Sequence, residues 1–413
     1  MTNLTRRDLL AGGAAVAALS LVPRGAQAAP VSRDSIPFTM IGTVLDGGEQ
    51  VTSLVLDTGD LGPIDPASLD TSTFSVHAKG QVFFRTTPQY DADRVVTKAS
   101  LDHGKIVLDL ETIDLVTPGG TLGYTSGRNV LLDLTYTISQ NAPLKLKNHR
   151  ELVLPGFVQG KLVDPEVDAY SYHTSATGMN YRLFAPTQGG GAERHVGKGK
   201  RPLVVWLHGG GEGGLLSQNY YDNEATLRAN RGALGFSTAE AQKIFKGAYV
   251  VAPQAETAWM SGGPGYAPRI KAIIDDLVAR YPIDTDRISV VGCSNGGYMS
   301  LYMTYAYPDS FADSVPICPG ASPTYFTDDQ LASIATPTWI VQAANDTTLP
   351  PPTNGLRAHE LVPGSLMSYY DNVTWNGISY PGHWSWIYVA HNDPFLEDTH
   401  IWQWMAAQQL GKQ

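Results

Sequence analysis

The chain has 413 residues, a length that permits two domains and at least one large hydrophobic core. With 43% hydrophobic and 16% charged residues, the composition is that of a globular protein and excludes a disordered chain. The net charge of −10 argues against a basic surface, so we expect no nucleic-acid partner. The two cysteines, Cys293 and Cys318, exclude a disulfide-dense scaffold and a cysteine-rich zinc site. We expect two buried free thiols, and one bridge between them is the alternative.

The first 28 residues have the pattern of an export signal. Residues 5–10 (TRRDLL) contain a twin arginine, and residues 9–22 form an apolar run that is too short to span a bilayer. Residues 26–28 (AQA) fit a cleavage site. We therefore expect twin-arginine export of the folded protein, cleavage after Ala28, a periplasmic or extracellular location and no later membrane association. An uncleaved, anchored N-terminus is the alternative.

Residues 31–165 are predicted to form an all-β domain. Segments such as FTMIGTV, TSLVLDT and NVLLDLTYTI alternate apolar and polar positions, and turn clusters rich in glycine separate them. Short strands at this spacing favour a β-sandwich. No catalytic group of residues stands out in this half of the chain.

Residues 168–413 have a different pattern. The runs RPLVVWLH and GAYVVAP are apolar without alternation, as in parallel strands that are covered on both faces. Between such runs, apolar residues recur with helical spacing, for example at Ile270, Ile273, Ile274, Leu277 and Val278. Alternating strands and helices predict an α/β domain with a mostly parallel sheet.

A candidate nucleophile follows one of these strands. Residues 292–296 (GCSNG) fit the pattern G-x-S-x-G, and they lie between a β-branched run and a helical pattern, as that pattern requires. The turn must be sharp, so a Cβ at either glycine would strike the neighbouring strand or helix. We expect Ser294 to be exposed at a helix N-terminus, where the helix dipole favours developing negative charge. The alternative is a tight turn with an idle serine.

A serine nucleophile needs a base, and in this arrangement the histidine comes last along the chain. His383 is our candidate, because it lies in a loop, YPGHWSW, between aromatic residues. His391 is the second candidate. His359 and His400 are in predicted helices.

The acid should follow a late strand and orient the imidazole. Asp346 is our candidate, since the run TPTWIVQAAN leads into it and prolines at 350–352 force an extended loop after it. A turn aspartate that caps the following segment is the alternative, and Asp371 and Asp393 are less well placed.

The oxyanion of an acyl-transfer reaction needs backbone N–H donors that are already oriented. Asn295, directly after the serine, would supply one. The loop HGGG at residues 208–211 would supply the other, and we favour Gly210 and then Gly211. A phosphate-binding loop is the alternative, but the lysine and serine or threonine of that motif do not follow. We expect His208 to pack beneath the loop.

Aromatic residues close to these motifs are candidates for the substrate pocket: Trp259, Trp384 and Tyr220. Trp259 follows a predicted strand and should lie at the carboxyl edge of the sheet, where ligands bind. Burial in the core is an equal alternative for this group.

Taken together, LHGGGEGG, DTDRISVVGCSNGG, VQAAND and YPGHWSW resemble the bacterial α/β-hydrolase serine esterases related to polyhydroxybutyrate depolymerases and prolyl oligopeptidase-like carboxylesterases. Some of these carry an N-terminal immunoglobulin-like domain, which residues 35–140 resemble. The resemblance implies an α/β-hydrolase fold behind an immunoglobulin-like sandwich. It also implies Ser294 as nucleophile, Asp346 as acid, His383 as base and oxyanion donors at Asn295 and near Gly210. The sandwich would shape or cover the site, or associate with neighbours in a homo-oligomer.

The sequence therefore predicts a secreted esterase that acts through an acyl-enzyme, on small or polymeric esters and without metal or cofactor. One alternative is a peptidase or amidase with the same triad, although no propeller repeats accompany it. Another is a non-enzymatic module that binds a polymer surface through its sandwich.

Overall fold

The computed structural model describes residues 35–115, 118–186 and 199–411. The predicted export signal at residues 1–28 lies outside these ranges. Within them, no helix has the length and apolar character that a membrane span requires.

The N-terminal part contains two mainly antiparallel sheets that share one core, and a separate two-stranded sheet. Its strands are β1 Ile36–Leu45, β2 Gly48–Leu56, β3 Phe74–Val82, β4 Tyr90–Arg94, β5 Val96–Asp102, β6 Lys105–Leu110, β7 Leu122–Thr125, β8 Arg128–Gln140, β9 Leu144–Lys145, β10 Glu151–Leu152 and β11 Phe157–Val163. Of the two sheets that share the core, one has the order β11-β1-β2-β6-β5 and the other the order β4-β3-β8-β7, and β9 pairs with β10 in the separate sheet. All pairs are antiparallel except β1 with β11.

The alternation of the sequence explains this sandwich. Along β1 buried and half-buried residues alternate without a break, because successive side chains point to opposite faces of a strand. The inward residues of both sheets meet in a single cluster that includes Phe38, Leu54, Val76 and Leu108. The structure therefore has the β-sandwich architecture, while its immunoglobulin-like character remains a prediction.

The second part contains an eight-stranded sheet flanked by helices. Its elements are α1 Pro165–Asp168, β12 Ser171–Thr174, β13 Asn180–Phe184, β14 Arg201–Leu207, α2 Ala225–Arg228, α3 Gly232–Gly235, α4 Ala239–Ile244, β15 Tyr249–Pro253, α5 Trp259–Gly262, α6 Ala267–Arg280, β16 Ile283–Cys293, α7 Asn295–Ala306, β17 Asp313–Ile317, α8 Asp328–Ala332, β18 Trp339–Ala343, α9 Gly355–Leu361, β19 Leu366–Tyr370, β20 Val373–Trp375, β21 Ile378–Tyr380, α10 Trp386–Ala390, β22 Phe395–Leu396, β23 Thr399–His400 and α11 Ile401–Ala407.

The strand order is β12-β13-β15-β14-β16-β17-β18-β19, and β13 runs antiparallel to both of its neighbours. From β15 to β19 the strands are parallel. Strands β15, β17 and β18 are buried at every position, which explains why their sequences do not alternate. The parallel strands therefore bring the loops at their carboxyl ends to one edge of the sheet.

Two core clusters cover the two faces of this sheet. In α6 the buried residues Ile270, Ile273, Ile274 and Leu277 form the apolar stripe that the sequence predicts. Helix α7 is buried on most sides, because it packs against β16 and β17 and also contacts α5 and α6.

Polar and charged contacts join the sandwich to the α/β domain. Glu49 pairs with Arg228, and Asp46 with His391 Nε2 at 2.7 Å. Asp114 accepts a 2.7 Å hydrogen bond from the Tyr380 hydroxyl. These contacts fix the sandwich against the α/β domain, and the β7–β8 hairpin lies beside the loop that follows β14.

Candidate active site

Ser294 lies at the sharp turn between β16 and α7. Its φ of 57° and ψ of −113° are rare for a residue with a side chain, and such strain concentrates at functional sites. The backbone N–H of Ser294 donates to Ile317 O at 2.8 Å, so the turn is bound to the end of β17. The residue is only 7% exposed, which corrects our expectation of an exposed serine. The turn holds it at the carboxyl edge of the sheet, where it is mostly buried.

The flanking glycines leave no room for a side chain. A Cβ at Gly292 would lie 2.4 Å from Gly296 O and 2.9 Å from Leu207 O. A Cβ at Gly296 would lie 1.8 Å from Leu207 O, far inside van der Waals contact. The glycines are therefore required because α7 starts directly against the end of β14.

Asp346 and His383 form a hydrogen-bonded pair. Asp346 follows β18, and its Oδ2 lies 2.8 Å from His383 Nδ1. Its Oδ1 accepts hydrogen bonds from the N–H groups of Thr348 and Leu349, at 2.8 and 3.0 Å. The aspartate side chain is fully buried and that of the histidine is 12% exposed. This pair can hold the imidazole in one tautomer and stabilise its protonated form.

A glycine lets the histidine loop approach the aspartate. A Cβ at Gly382 would lie 2.2 Å from Asn345 Oδ1 and 2.5 Å from Asn345 O. The loop before His383 therefore packs directly on the residue before Asp346.

The environment shifts the pKa values of both groups in the directions that stabilise the charged pair. Burial would raise the pKa of Asp346, but the hydrogen bond and charge of His383 and the N–H groups of Leu349 and Thr348 hold it below its usual range. Burial lowers the pKa of His383, but Cys318 and Asp346 outweigh it and raise the pKa above that of a free imidazole. The stronger base accepts a proton more readily.

The structure brings the serine turn and this pair to the same edge of the sheet. Among the described residues no hydrogen bond joins Ser294 Oγ to His383; such bonds are often long in unliganded enzymes and tighten along the reaction path. Cys318 is near both parts of the site. It directly follows Ile317, whose carbonyl oxygen accepts the hydrogen bond from the Ser294 N–H. The Cys318 sulfur, a carboxylate oxygen of Asp346 and a ring nitrogen of His383 all lie within 4.8 Å of one another.

Sequence reasoning did not assign Cys318 to the site. Its signal was present, because Cys318 directly follows β17, the strand that pairs with β16, and Ser294 directly follows β16. Cys293 and Cys318 are both free and buried.

The other histidines have partners elsewhere. His391 binds Asp46 in the sandwich, His359 Nδ1 lies 2.9 Å from the Ser365 hydroxyl, and His400 Nδ1 lies 2.8 Å from Asn392 O. Of the alternative acids, Asp393 accepts a hydrogen bond from Tyr370, and Asp371 is exposed. None of them is paired with His383.

The loop after β14 faces the serine turn. A Cβ at Gly210 would lie 2.9 Å from Asn295 Nδ2, so the two candidate oxyanion residues are neighbours. Gly210 also begins the 3-10 turn Gly210–Glu212. A Cβ at Gly211 would instead lie 3.0 Å from Asn129 Nδ2, on the side of the sandwich. The contact with Asn295 therefore favours Gly210 as the donor.

His208 supports this loop from below. Its Nε2 accepts a 2.9 Å hydrogen bond from the Ala255 N–H, and its Nδ1 lies 2.6 Å from Gly209 O. Because the pKa of buried His208 is lowered to about 4, its ring stays neutral at physiological pH.

Two of the three aromatic pocket predictions need correction. Trp259 has no exposed surface, and its indole N–H donates to His208 O at 2.9 Å, so it belongs to the core beneath the loop. Tyr220 is buried in the sandwich core, and its hydroxyl accepts a hydrogen bond from the Leu131 N–H. Large apolar rings gain more from burial than from forming a solvent-exposed wall. Trp384 is half-buried beside His383 and stacks on Trp386; its role in a pocket remains a prediction.

Sequence reasoning also did not single out Glu212. This carboxyl is 7% exposed and accepts a 3.1 Å hydrogen bond from Asn129 Nδ2 in the sandwich. Burial raises its pKa to about 7, against the opposing effects of Asn129, the N–H groups of Gly209 and Glu212, and the charge of Arg128. The local sequence LHGGGEGG does not indicate that this glutamate is buried.

Comparison with known proteins gives the class of the fold. Residues 267–354 match the prolyl oligopeptidase family model. The chain is similar to a poly(3-hydroxyalkanoate) depolymerase C of Paucimonas lemoignei, with 32% identity over 143 residues, which are 31% of this chain and 30% of that protein. The chain thus spans less than a third of the length of that relative. A crystal structure of a thermostable esterase superimposes with a TM-score of 0.73 and 24% identity, over 90% of this chain and 99% of that one.

The esterase superposition confirms the predicted α/β-hydrolase fold. The matched share exceeds what the α/β domain alone supplies, so the likeness extends into the sandwich. The two sequence matches, each over less than a third of the chain, point to hydrolases of the esterase or prolyl oligopeptidase type.

Proposed function

We propose that the protein is a serine hydrolase of carboxylic esters, with Ser294, His383 and Asp346 as its triad. The observation that carries this proposal is the 2.8 Å Asp346–His383 bond at the sheet edge where the strained turn holds Ser294. The serine needs this pair, because a serine hydroxyl is a weak nucleophile without an oriented base.

The proposed reaction has two halves. His383 accepts the hydroxyl proton while Ser294 attacks the ester carbonyl, and the N–H groups of Asn295 and Gly210 stabilise the oxyanion. His383 then gives the proton to the leaving alcohol, which leaves the acyl group on Ser294. Water repeats the sequence and releases the acid. Asp346 stays ionised throughout, as its lowered pKa requires.

Two observations favour esters over peptides. The N-terminal strands form a sandwich. The described residues contain no ring of propeller blades that would enclose a peptide. The depolymerase relative acts on a polyester according to its name. The prolyl oligopeptidase match makes an amidase the second candidate.

Replacement of Ser294 tests the proposal. We expect Ser294→Ala to lower kcat on p-nitrophenyl acetate by about 10⁴-fold or more and to abolish labelling by a fluorophosphonate probe, with the fold retained. Ser333→Ala, an exposed serine after α8, is the matched control and should behave as wild type. Wild-type turnover by Ser294→Ala would refute the assignment. Faster cleavage of a matched anilide than of its ester would favour the amidase.

We also propose export through the twin-arginine route, on the sequence of residues 5–28 alone. Replacing Arg6 and Arg7 with lysine should retain the uncleaved precursor inside an expressing bacterium. The measurement is the distribution of esterase activity and precursor between cell fractions. Unchanged export of the double variant would contradict this route.

A further inference from the structure

The loop between β14 and α2 is held from two sides. From the α/β domain, Gln254 Nε2 donates to Glu212 O at 3.0 Å, and the Gly214 N–H donates to Ala255 O at 2.9 Å. From the sandwich, Arg128 Nε donates to Gly214 O at 3.2 Å. The loop therefore lies between two domains at the point where it faces the serine turn.

The Glu212 carboxyl lies inside this loop rather than in solvent. One oxygen, Oε1, accepts the 3.1 Å hydrogen bond from Asn129. The other, Oε2, lies beneath Gly209, since a Cβ at that glycine would be 2.9 Å from it. Burial raises the pKa of this carboxyl to about 7, although Asn129 and the N–H groups of Gly209 and Glu212 act in the opposite direction. A buried carboxyl group is costly unless it has hydrogen-bonding partners, and this one is bound by Asn129 and packs against the turn that carries Gly210.

The donor from the sandwich is itself well fixed. Asn129 lies on β8 between Arg128, which binds Gly214 O, and Val130, a buried core residue. Two residues further on, the Leu131 N–H donates to the Tyr220 hydroxyl at 3.1 Å. Strand β8 is thus attached to the α/β domain on both sides of Asn129, by the Arg128 side chain and by the Leu131 N–H. Its amide can transmit the position of the sandwich to Glu212.

We propose that Glu212 is a positioning residue for the oxyanion donors and that Asn129 of the sandwich holds it in place. This inference rests on the proposed function. The carboxylate fixes the backbone of residues 209–212, and that backbone sets where Gly210 lies against Asn295. Small shifts of oriented donors weaken transition-state stabilisation much more than they weaken substrate binding.

Kinetics of three variants test the proposal. Glu212→Gln keeps the size of the side chain but replaces one acceptor oxygen with an N–H₂ group, which opposes the loop donors. We expect kcat to fall by about 10- to 100-fold, with KM within about threefold of wild type. Asn129→Ala should lower kcat by about 3- to 10-fold. The double variant should be no worse than Glu212→Gln alone, because both changes break the same connection.

Matched controls are Glu240→Gln on α4 and Thr135→Ala on β8, which are exposed and should retain wild-type kcat. Inactivation by a fluorophosphonate, whose phosphoryl oxygen occupies the oxyanion position, should slow in parallel with kcat. Wild-type kcat in folded Glu212→Gln and Asn129→Ala would overturn the proposal. So would a loss of thermal stability alone, with kcat unchanged.

Amide hydrogen exchange separates this inference from the proposed function. In both variants the amides of residues 209–212 should exchange faster than in wild type, whereas those of β15 should not. Unchanged exchange at 209–212 would refute the positioning role even if the protein proved to have no esterase activity. If the wild type is neither labelled by the fluorophosphonate nor active on esters, but residues 209–212 exchange faster in the variants, only the proposed function is refuted.

Discussion

The serine turn and the glycine loop opposite it are held by different means. The turn is fixed by backbone contacts within the α/β domain: the hydrogen bond to Ile317 and the close approach of Gly296 to Leu207. The loop is fixed by side chains from both domains, among them Gln254 and Asn129. One half of the site is thus local and steric, and the other half depends on how two domains dock.

This difference determines how each half should respond to mutation. A steric clash at the serine turn cannot be relieved by a small shift, because the backbone of β14 cannot move without disturbing the centre of the sheet. A hydrogen-bonded support can weaken by degrees. The variants below test this contrast, from the largest expected effect to the smallest.

Gly296→Ala should have the largest effect. Its Cβ would meet Leu207 O at 1.8 Å, so α7 or β14 must shift and we expect little folded, soluble protein. Gly265→Ala is the matched control, since no atom lies within 4 Å of a Cβ there. Soluble yield and thermal unfolding are the measurements. A Gly296→Ala protein with wild-type melting temperature would contradict the steric account.

Asp346→Asn should keep the fold but lower kcat by about 10³- to 10⁴-fold, because the amide cannot stabilise the protonated imidazole or its tautomer. Asp371→Asn, an exposed aspartate, is the control and should be close to wild type. Steady-state kinetics on an ester measure both. An effect of Asp346→Asn below tenfold would remove this residue from the triad.

The same variant should shift the pH profile. The neutral imidazole is the active form, so kcat/KM rises with pH through the pKa of His383. Since Asp346 raises that pKa, the acid limb of the wild type should lie above pH 6.5, the value of a free histidine. Loss of the carboxylate should move the acid limb of the residual activity to lower pH. A shift to higher pH would have the wrong sign for this assignment.

At the domain interface, Arg228→Ala should lower the free energy of unfolding by about 3–5 kcal/mol, because it leaves the buried Glu49 without its charged partner; Glu224 keeps its ion pair with Arg182. Lys271→Ala removes a helical pair with Asp275 on the surface and should cost about 0.5 kcal/mol or less. Urea unfolding compares the two. Equal losses would show that the interface contributes no more than a surface pair.

The sequence allowed the local half of the site to be predicted. Gly292, Ser294 and Gly296 lie within five residues, and the physical need for small residues at a strand-to-helix turn is visible in the letters alone. The alternation of the sandwich strands and the apolar stripe of α6 were also legible, because each follows from the period of one element. Strand order was not predicted, because it depends on which strands pair across the whole domain.

The other half depended on partners far away along the chain. Asn129 and Glu212 are 83 residues apart, and no local pattern links them. Trp259 and Tyr220 were predicted to line a pocket because they lie near the motifs in sequence, but burial is decided by which elements pack together. Cys318 joined the site only once β16 and β17 were placed side by side.

The contact between Asp46 and His391 has a consequence for how the chain acquires its final shape. The two residues are separated by 345 positions, so this bond cannot form until the whole segment between them has been synthesised. During translation the sandwich emerges first and presents the buried carboxyl of Glu49 without its arginine. Such distant pairings form slowly, so the interface of a nascent chain stays incomplete until the segment that carries Tyr380 and His391 has been synthesised.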